Sequence, residues 1–543
     1  MKKYLKPAVI IMCIVLCIAG SFAIWTARNS TAAVSAHMIE FNRNLERAAG
    51  SGHPRTTYEI FVGSFCDSNG DGCGDLNGIR SKLDYISGLG FDAVWLTPVH
   101  PSSTYHKYDV DDYYSIDPSF GTVEDYEALL KECHEKGLLV YMDLVLNHTS
   151  DDNEWFRSAS EYLHELPADW EPDPSYCKFF DYYNFTRQPG DGYVNLEGTN
   201  WYYEARFWSE MPDLNLSSVQ VREEIRNIMA YWLEKGVDGF RLDAITSYYQ
   251  DDKAANVDFL RFLTETGRSI SRDCSFAGEA WTDGSTIAEL YSSGIDSLFD
   301  FPFAGRDGVI ARVLNGRCST RDYADEMVLA ESACKTMNPD YVDAPFYTNH
   351  DMDRNADYYP DDNGPITKMA YAMNLFMPGN AFVYYGEEIG MTGSGKDENR
   401  RAPMYWSDEP GDPDMCAGPL DMDESEMRFP PLSTQKNDDL SLYRWFSEVI
   451  RVRNAFPAIA DGATEVPDIL IDDSTAAFFR RSPEYDDVLI VMNLSIHTIE
   501  KDISLFGKYD SPAAVLNTGE ENMICQNGIL KMPAYSIAVF SAE

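Results

Sequence analysis

Apolar residues in this chain gather in short runs separated by stretches of helical spacing. Eight runs rich in β-branched and aromatic residues stand out, at 58–65, 91–99, 138–148, 237–245, 275–281, 297–303, 345–351 and 381–390. Between them lie helical patterns such as 123–136 and 221–235, with apolar positions three and four apart. Strand–helix alternation repeated eight times over about 400 residues predicts an α/β fold, a parallel (β/α)8 TIM barrel, with loops enlarged by insertion. The stretch after the third run, 149–215, is too long and too polar for a simple connection, and reads as an inserted small domain. A Gly/Pro/Asp-rich loop over 391–438 follows the eighth run. Beyond a last helical pattern at 440–454 and Pro457, short alternating segments at 476–480, 488–493 and 536–540 predict a C-terminal antiparallel β-sandwich over 458–543. The barrel is then split into 53–148 and 216–457.

The N-terminus carries a different pattern. Met1-Lys2-Lys3-Tyr4-Leu5-Lys6 is basic, residues 7–25 are almost wholly apolar, and small residues at Ala23 and Ala36 suit cleavage. Residues 1–36 read as a signal peptide or a retained anchor, since the apolar stretch just reaches bilayer length. Either fate places the protein outside the cytoplasm, secreted or on the cell surface. Residues 37–52 read as a linker.

Composition narrows the function. A formal charge of −44 repels nucleic acid and anionic membrane surfaces, leaving the N-terminal segment as the one expected membrane contact. Aromatic residues make up 13% of the chain, including 33 Tyr and 10 Trp, and rings stack on sugar C–H faces. Of 11 cysteines, Cys13 and Cys17 fall in the targeting segment; the other nine show no disulfide framework or zinc spacing, although Cys66 and Cys73 are near enough to pair in an oxidising compartment.

The chemistry lies at the ends of the runs. In Gly239-Phe240-Arg241-Leu242-Asp243-Ala244, Arg241 and Asp243 share one face of a strand. The guanidinium is expected to keep Asp243 ionised with a low pKa and to aim it, as attack on a sugar carbon requires. Glu279 ends the fifth run and Asp351 the seventh. Acids at the C-terminal mouths of barrel strands converge on one pocket, where mutual repulsion drives one to hold a proton. Any one of these acids alone could serve as a structural ion-pair partner; three at strand ends, beside Arg, Trp and His, point to catalysis. Separately, Asp67-Ser68-Asn69-Gly70-Asp71-Gly72-Cys73-Gly74-Asp75 spaces oxygen donors at alternate positions on a glycine-rich loop. The side chains of Asp67, Asn69, Asp71 and Asp75 with the Cys73 carbonyl suit Ca²⁺.

These motifs together resemble glycoside hydrolase family 13, the α-amylase family, in its group intermediate between α-amylases and oligo-1,6-glucosidases. Asp143-Leu144-Val145-Leu146-Asn147-His148, the segment 239–243, Gly278-Glu279-Ala280-Trp281 and Tyr347-Thr348-Asn349-His350-Asp351 match its four signatures in order, and Met211-Pro212-Asp213-Leu214-Asn215 matches the motif ending the inserted domain. The resemblance implies Asp243 as nucleophile, Glu279 as acid/base and Asp351 as a stabiliser of the distorted sugar. It further implies that Arg241 orients Asp243, that His148, His350 and His106 bind substrate, and that Tyr108 stacks beneath the sugar. The same acidic loop occurs in the oligo-glucosidase-like members. Ala244, a small residue after the nucleophile, is expected to favour α-1,4 bonds. Ile245-Thr246 departs from the Lys-His pair of typical α-amylases, and Lys107 stands where a glycine is usual. The expected activity is retaining hydrolysis of α-1,4 bonds in starch or malto-oligosaccharides by a monomer. An exo-α-glucosidase or 4-α-glucanotransferase is the alternative. A non-catalytic membrane-anchored barrel is the remaining one, weakened because all three acids are present.

Overall fold

A computed structural model describes residues 38–542 apart from 51, 251 and 424–426; the expected signal or anchor over 1–36 lies outside the described residues. Seven parallel strands form one curled sheet in the order Ala381–Tyr384, Thr56–Ile60, Ala93–Leu96, Leu139–Leu144, Gly239–Leu242, Ser275–Gly278, Ser297–Leu298. The expected strand at 345–351 is reduced to two single parallel bridges, Phe299 to Ala344 and Phe346 to Phe382, and these close the barrel. Pro345 is the reason: it has no N–H to extend a ladder, although its carbonyl still accepts from Phe382 N at 2.8 Å.

Alternation along the strands sorts the side chains. Val94 and Leu96 join the core under the helices, while Ala93 and Trp95 join Tyr141, Ala277, Phe299, Phe346 and Phe382 inside the barrel. The same parity turns Glu59, Asp143 and Arg241 inward. Asp143 and Arg241 are register partners on neighbouring strands, so folding the sheet brings their opposite charges together. Helix Val219–Lys235 is held in place by its ends: Ser218 caps its start, and Gly236, at φ 108, ends it in the left-handed conformation. The chain then turns directly into the strand that carries Arg241.

Between the third and fourth barrel strands, residues 149–215 form a helix, Glu154–Glu165, and a small antiparallel sheet of Phe185–Thr186, Tyr202–Glu204 and Tyr193–Asn195. The C-terminal region pairs a five-stranded sheet with a three-stranded one. Along Thr475–Arg481, Ala476 and Phe478 pack toward the barrel, whereas Ala477 and Phe479 face the small sheet. The reading of 37–52 as a linker is corrected here. Asn42 is fully buried, and its side chain exchanges hydrogen bonds with the backbone of Val515 in the C-terminal region. Ala48 N donates to Asn454 O. Among the described residues no helix is long and apolar enough to cross a membrane, and all nine described cysteines are free, Cys66 and Cys73 included.

Candidate active site

Arg241 is the hub of the site. Its side chain is fully buried, and Nη1 donates to both oxygens of Asp143 at 3.0 Å and to Asp243 Oδ1 at 2.7 Å. Nη2 lies 2.9 Å from Glu279 Oε2. One planar cation therefore spans three carboxyl groups from three adjacent strands, which a lysine ammonium could not do with the same geometry. Trp95 and Tyr108 cover the guanidinium, with its carbon 4.9 Å and 5.7 Å from their ring centres. Its own charge is strongly favoured, because the surrounding anions outweigh the cost of burial.

Ala244 links the two acids at the mouth. Its φ of 45° places a non-glycine residue in the left-handed region, and its N–H donates to Glu279 Oε2 at 3.0 Å. Strained backbone of this kind persists where surrounding contacts over-determine it. The expected depression of Asp243 is corrected by this setting. Burial raises its carboxyl, Arg241 pulls it down, Asp143 and Asp351 push it back up, and the outcome is about 6. Glu279 is raised too, by burial first and then by the neighbouring Asp243 charge. Two buried carboxyls sharing one cation cannot both ionise freely, so the pair holds a proton at higher pH than either acid would in water.

Asp351 sits in the opposite electrostatic setting. Burial opposes its charge, but His350 Nε2 at 3.1 Å and Arg401 Nη2 at 2.7 Å hold it well below the usual carboxylate range. His350 bridges Asp351 and the buried Glu59, whose Oε1 lies 2.6 Å from Nδ1. Burial would keep the ring neutral, yet these two anions raise it to about 10. Tyr108 completes the connection. Its hydroxyl lies 2.6 Å from His350 Nε2 and 3.1 Å from Asp143 Oδ2, and its ring stacks on His350 at 5.4 Å and 7°. Asp243, Glu279, Asp351, Arg241, His350 and Tyr108 thus form one continuous network of contacts.

The remaining two histidines border this network. His148 Nε2 lies 3.1 Å from the Tyr108 carbonyl, and burial lowers it to about 4. His106 Nδ1 accepts from Tyr108 N at 3.1 Å, and burial followed by the Arg401 charge lowers it to about 4. Both rings are neutral near pH 7. Lys107 does not enter the sugar site: at φ 64° it takes the glycine-like conformation, and its ammonium reaches Asp117 at 2.7 Å. Glu59 and Arg401 were not among the expected site residues, although the segment Arg401-Ala402-Pro403-Met404 resembles the intermediate group of the family. Both reach the site from segments distant in the chain; the inward parity of Glu59 on its strand and the 401–404 segment were the available signals.

The acidic loop stands apart from this network. Asp67 accepts the N–H groups of Asn69, Gly70 and Gly72; Asn69 accepts Asp71 N, and Asp71 accepts Cys73 N. Asp75 bonds Ser68 and caps helix Leu76–Ser81 through Gly78 N. Gly70 and Gly72 hold φ of 85° and 90°, which lets the loop curl. No three His, Cys, Asp or Glu among the described residues converge at metal-ligand spacing. In kind, three carboxylates, an amide oxygen and a carbonyl are hard donors that fit Ca²⁺.

A parallel barrel with paired carboxyls at its C-terminal mouth, an inserted domain beside them and a β-sandwich behind defines a class of sugar-cleaving enzyme. Residues 59–462 match the family model described as alpha amylase, catalytic domain, and the chain belongs to the alpha-amylase family of glycoside hydrolases. It is 36% identical over 445 residues to Alpha-amylase 3 of Dictyoglomus thermophilum, covering 81% of this chain and 84% of that protein. It is 28% identical over 514 residues to the probable oligo-1,6-glucosidase 3 of Bacillus subtilis, covering 81% and 90%. Among solved structures, Eubacterium rectale Amy13B superposes with a TM-score of 0.90 at 42% identity over 94% of this chain and 99% of that one. An alpha-amylase from H. orenii gives 0.77 at 31% identity over 91% and 100%.

Proposed function

We propose that this enzyme hydrolyses α-1,4-glucosidic bonds of starch or malto-oligosaccharides with retention, through a covalent glycosyl-enzyme. The observation that carries the reading is the single guanidinium of Arg241 holding both Asp243 and Glu279. Two carboxyls served by one guanidinium are neighbours at the barrel mouth, which supports a retaining pair. Arg241 engages Oδ1 of Asp243, leaving Oδ2 to attack the anomeric carbon. As that bond forms, Glu279 gives its proton to the glycosidic oxygen and the C1–O bond breaks, releasing the leaving sugar. Glu279, now a carboxylate, takes a proton from water as the water oxygen attacks C1, and the ester to Asp243 breaks. Two inversions give net retention. Asp351, kept ionised by His350 and Arg401, is suited to grip sugar hydroxyls and to face positive charge developing on the ring.

Ala244 bears on bond choice. A β-branched residue at its positive φ would be strained, which supports the small residue associated with α-1,4 cleavage. Digestion of maltoheptaose tests the reading. Short oligosaccharides from internal cleavage are expected; glucose as sole product, or oligomers longer than the substrate, would instead establish the exo-glucosidase or glucanotransferase alternative.

The pH profile follows from the paired acids. Asp243 must be ionised, so kcat/KM is lost as pH falls through about 6. Glu279 must be protonated, and its raised pKa carries activity to higher pH before the rate falls. Glu279→Gln is expected to abolish that alkaline limb while lowering the rate on starch about 10²–10⁴-fold. Aryl glycosides with good leaving groups, which need no proton, should lose far less. An unchanged alkaline limb would remove Glu279 from the acid role.

We also propose Ca²⁺ for the loop of Asp67, Asn69, Asp71, Cys73 and Asp75 on the hard oxygen donors it carries, which now accept loop N–H groups and which binding would draw together to fix the turn. Chelation is expected to lower the melting temperature, by the loss of about 2.7 kcal/mol for a site held at about 100 Kd. The same melt with and without chelator would refute the assignment. A monomer, exported by its N-terminal segment and meeting glucan outside the cytoplasm, completes the proposal.

A further inference from the structure

A cavity of about 430 Å³ opens on the barrel flank between helices Gly284–Leu290 and Thr320–Met337. No residue of the catalytic network lines it. Part of its wall is apolar: Ile287, Phe303 and Ala330 line it, and Leu329 stands 62% exposed at the surface. Its charge is one-sided. Asp300, Glu326, Glu331 and Asp343 line it, and no lysine or arginine does.

Glu331 is satisfied, because Arg480 reaches it at 3.0 Å and Lys335 at 3.9 Å. Asp300 is not. It is only 6% exposed, and its Oδ2 has no hydrogen-bond partner among the described residues. Among the described residues lining the cavity, none forms an ion pair with Asp300, Glu326 or Asp343. A buried carboxyl without a partner is costly, and this one borders a cavity within the usual volume range of small-ligand sites. Burial pushes Asp300 up to about 7, with Glu326 adding to the shift.

The chemistry selects the ligand. The lining offers anions no lysine or arginine, and its charged groups are all carboxyls. A hard divalent cation requires six or more converging oxygens, and no metal-ligand group of His, Cys, Asp or Glu is present among the described residues. We propose that this flank cavity binds a primary organic ammonium ion carried on an apolar body, the ammonium donating to Asp300 and the body packing on Ile287, Phe303 and Leu329.

Benzylammonium chloride is the probe, titrated calorimetrically into the full-length protein, with benzyl alcohol as its uncharged counterpart. Saturable binding of the amine with a rise in melting temperature is expected, and no comparable response to the alcohol. Asp300→Asn should weaken amine binding about tenfold or more while hydrolysis of maltoheptaose stays within about twofold of wild type. If that variant folds poorly, Ala330→Trp, which fills the cavity from a helix face, should abolish binding as well. The proposal is overturned if the amine does not bind, if the alcohol binds equally well, or if both variants bind it like wild type. Purely competitive inhibition of hydrolysis that persists in Asp300→Asn would overturn it too, by assigning the amine to the catalytic cleft.

Discussion

Replacing Asp243 by asparagine is expected to lower kcat/KM on maltoheptaose by at least about 10⁴-fold, roughly 5.5 kcal/mol of transition-state stabilisation. The amide keeps the shape of the side chain and an oxygen for Arg241 Nη1, now 2.7 Å away. It loses the charge and the nucleophilicity needed to form an ester with C1. Folding should survive, because the variant removes one of the negative charges around Arg241 and leaves Asp143 and Glu279 to balance it. A slow fluoroglycoside substrate should leave a glycosyl adduct on the wild-type protein, detectable by mass, and none on the variant. Residual hydrolysis near one-hundredth of wild type, with contamination excluded by a second preparation, would mean that Asp243 is not the nucleophile.

The largest effect on stability is expected from Arg241→Met. The substitution keeps apolar bulk beneath Trp95 and Tyr108 but strands Asp143, Asp243 and Glu279, all buried. Breaking a buried ion pair by removing one partner typically costs about 3–5 kcal/mol, and three carboxyls here depend on one cation. The loss should appear as a lowered urea midpoint with an unchanged slope. Its pH dependence has a definite sign. Without the guanidinium these acids have folded pKa values raised above about 4, their unfolded range. The native state then binds more protons than the unfolded state between those values, so stability falls as pH rises through that window. Lowering the pH from about 8 to about 5 should therefore return part of the lost stability. Arg241→Lys should rescue little, since a point ammonium cannot serve two oxygens on one side and a third on the other. A variant as stable as wild type at pH 8 would show that the carboxyls around Arg241 are not held charged by it.

Several parts of this architecture were legible in the chain itself. The helix predicted over 221–235 forms as Val219–Lys235, since its cap, its apolar face and its terminal glycine are all local signals. The strand bearing Arg241 was equally plain, because parity puts residues two apart on one face. The strand expected at 345–351 failed for an equally local reason: Pro345 interrupts the ladder, and period-2 patterning does not register a missing donor. The linker reading of 37–52 failed because a polar residue such as Asn42 reads as exposed until a distant edge, here Val515, supplies its partners.

The sequence by itself determined the order of elements, the insertion after the third strand and the placing of acids at strand ends, because those follow from periodicity, capping and parity within a few residues. Only the tertiary structure decided how those acids are charged. Asp243 and Asp351 are the same residue type, yet burial beside Asp143 raises one, while His350 and Arg401 depress the other. Charge state depends on dielectric surroundings and on neighbours remote in the chain, such as Glu59 behind His350, and those exist only once the barrel has closed.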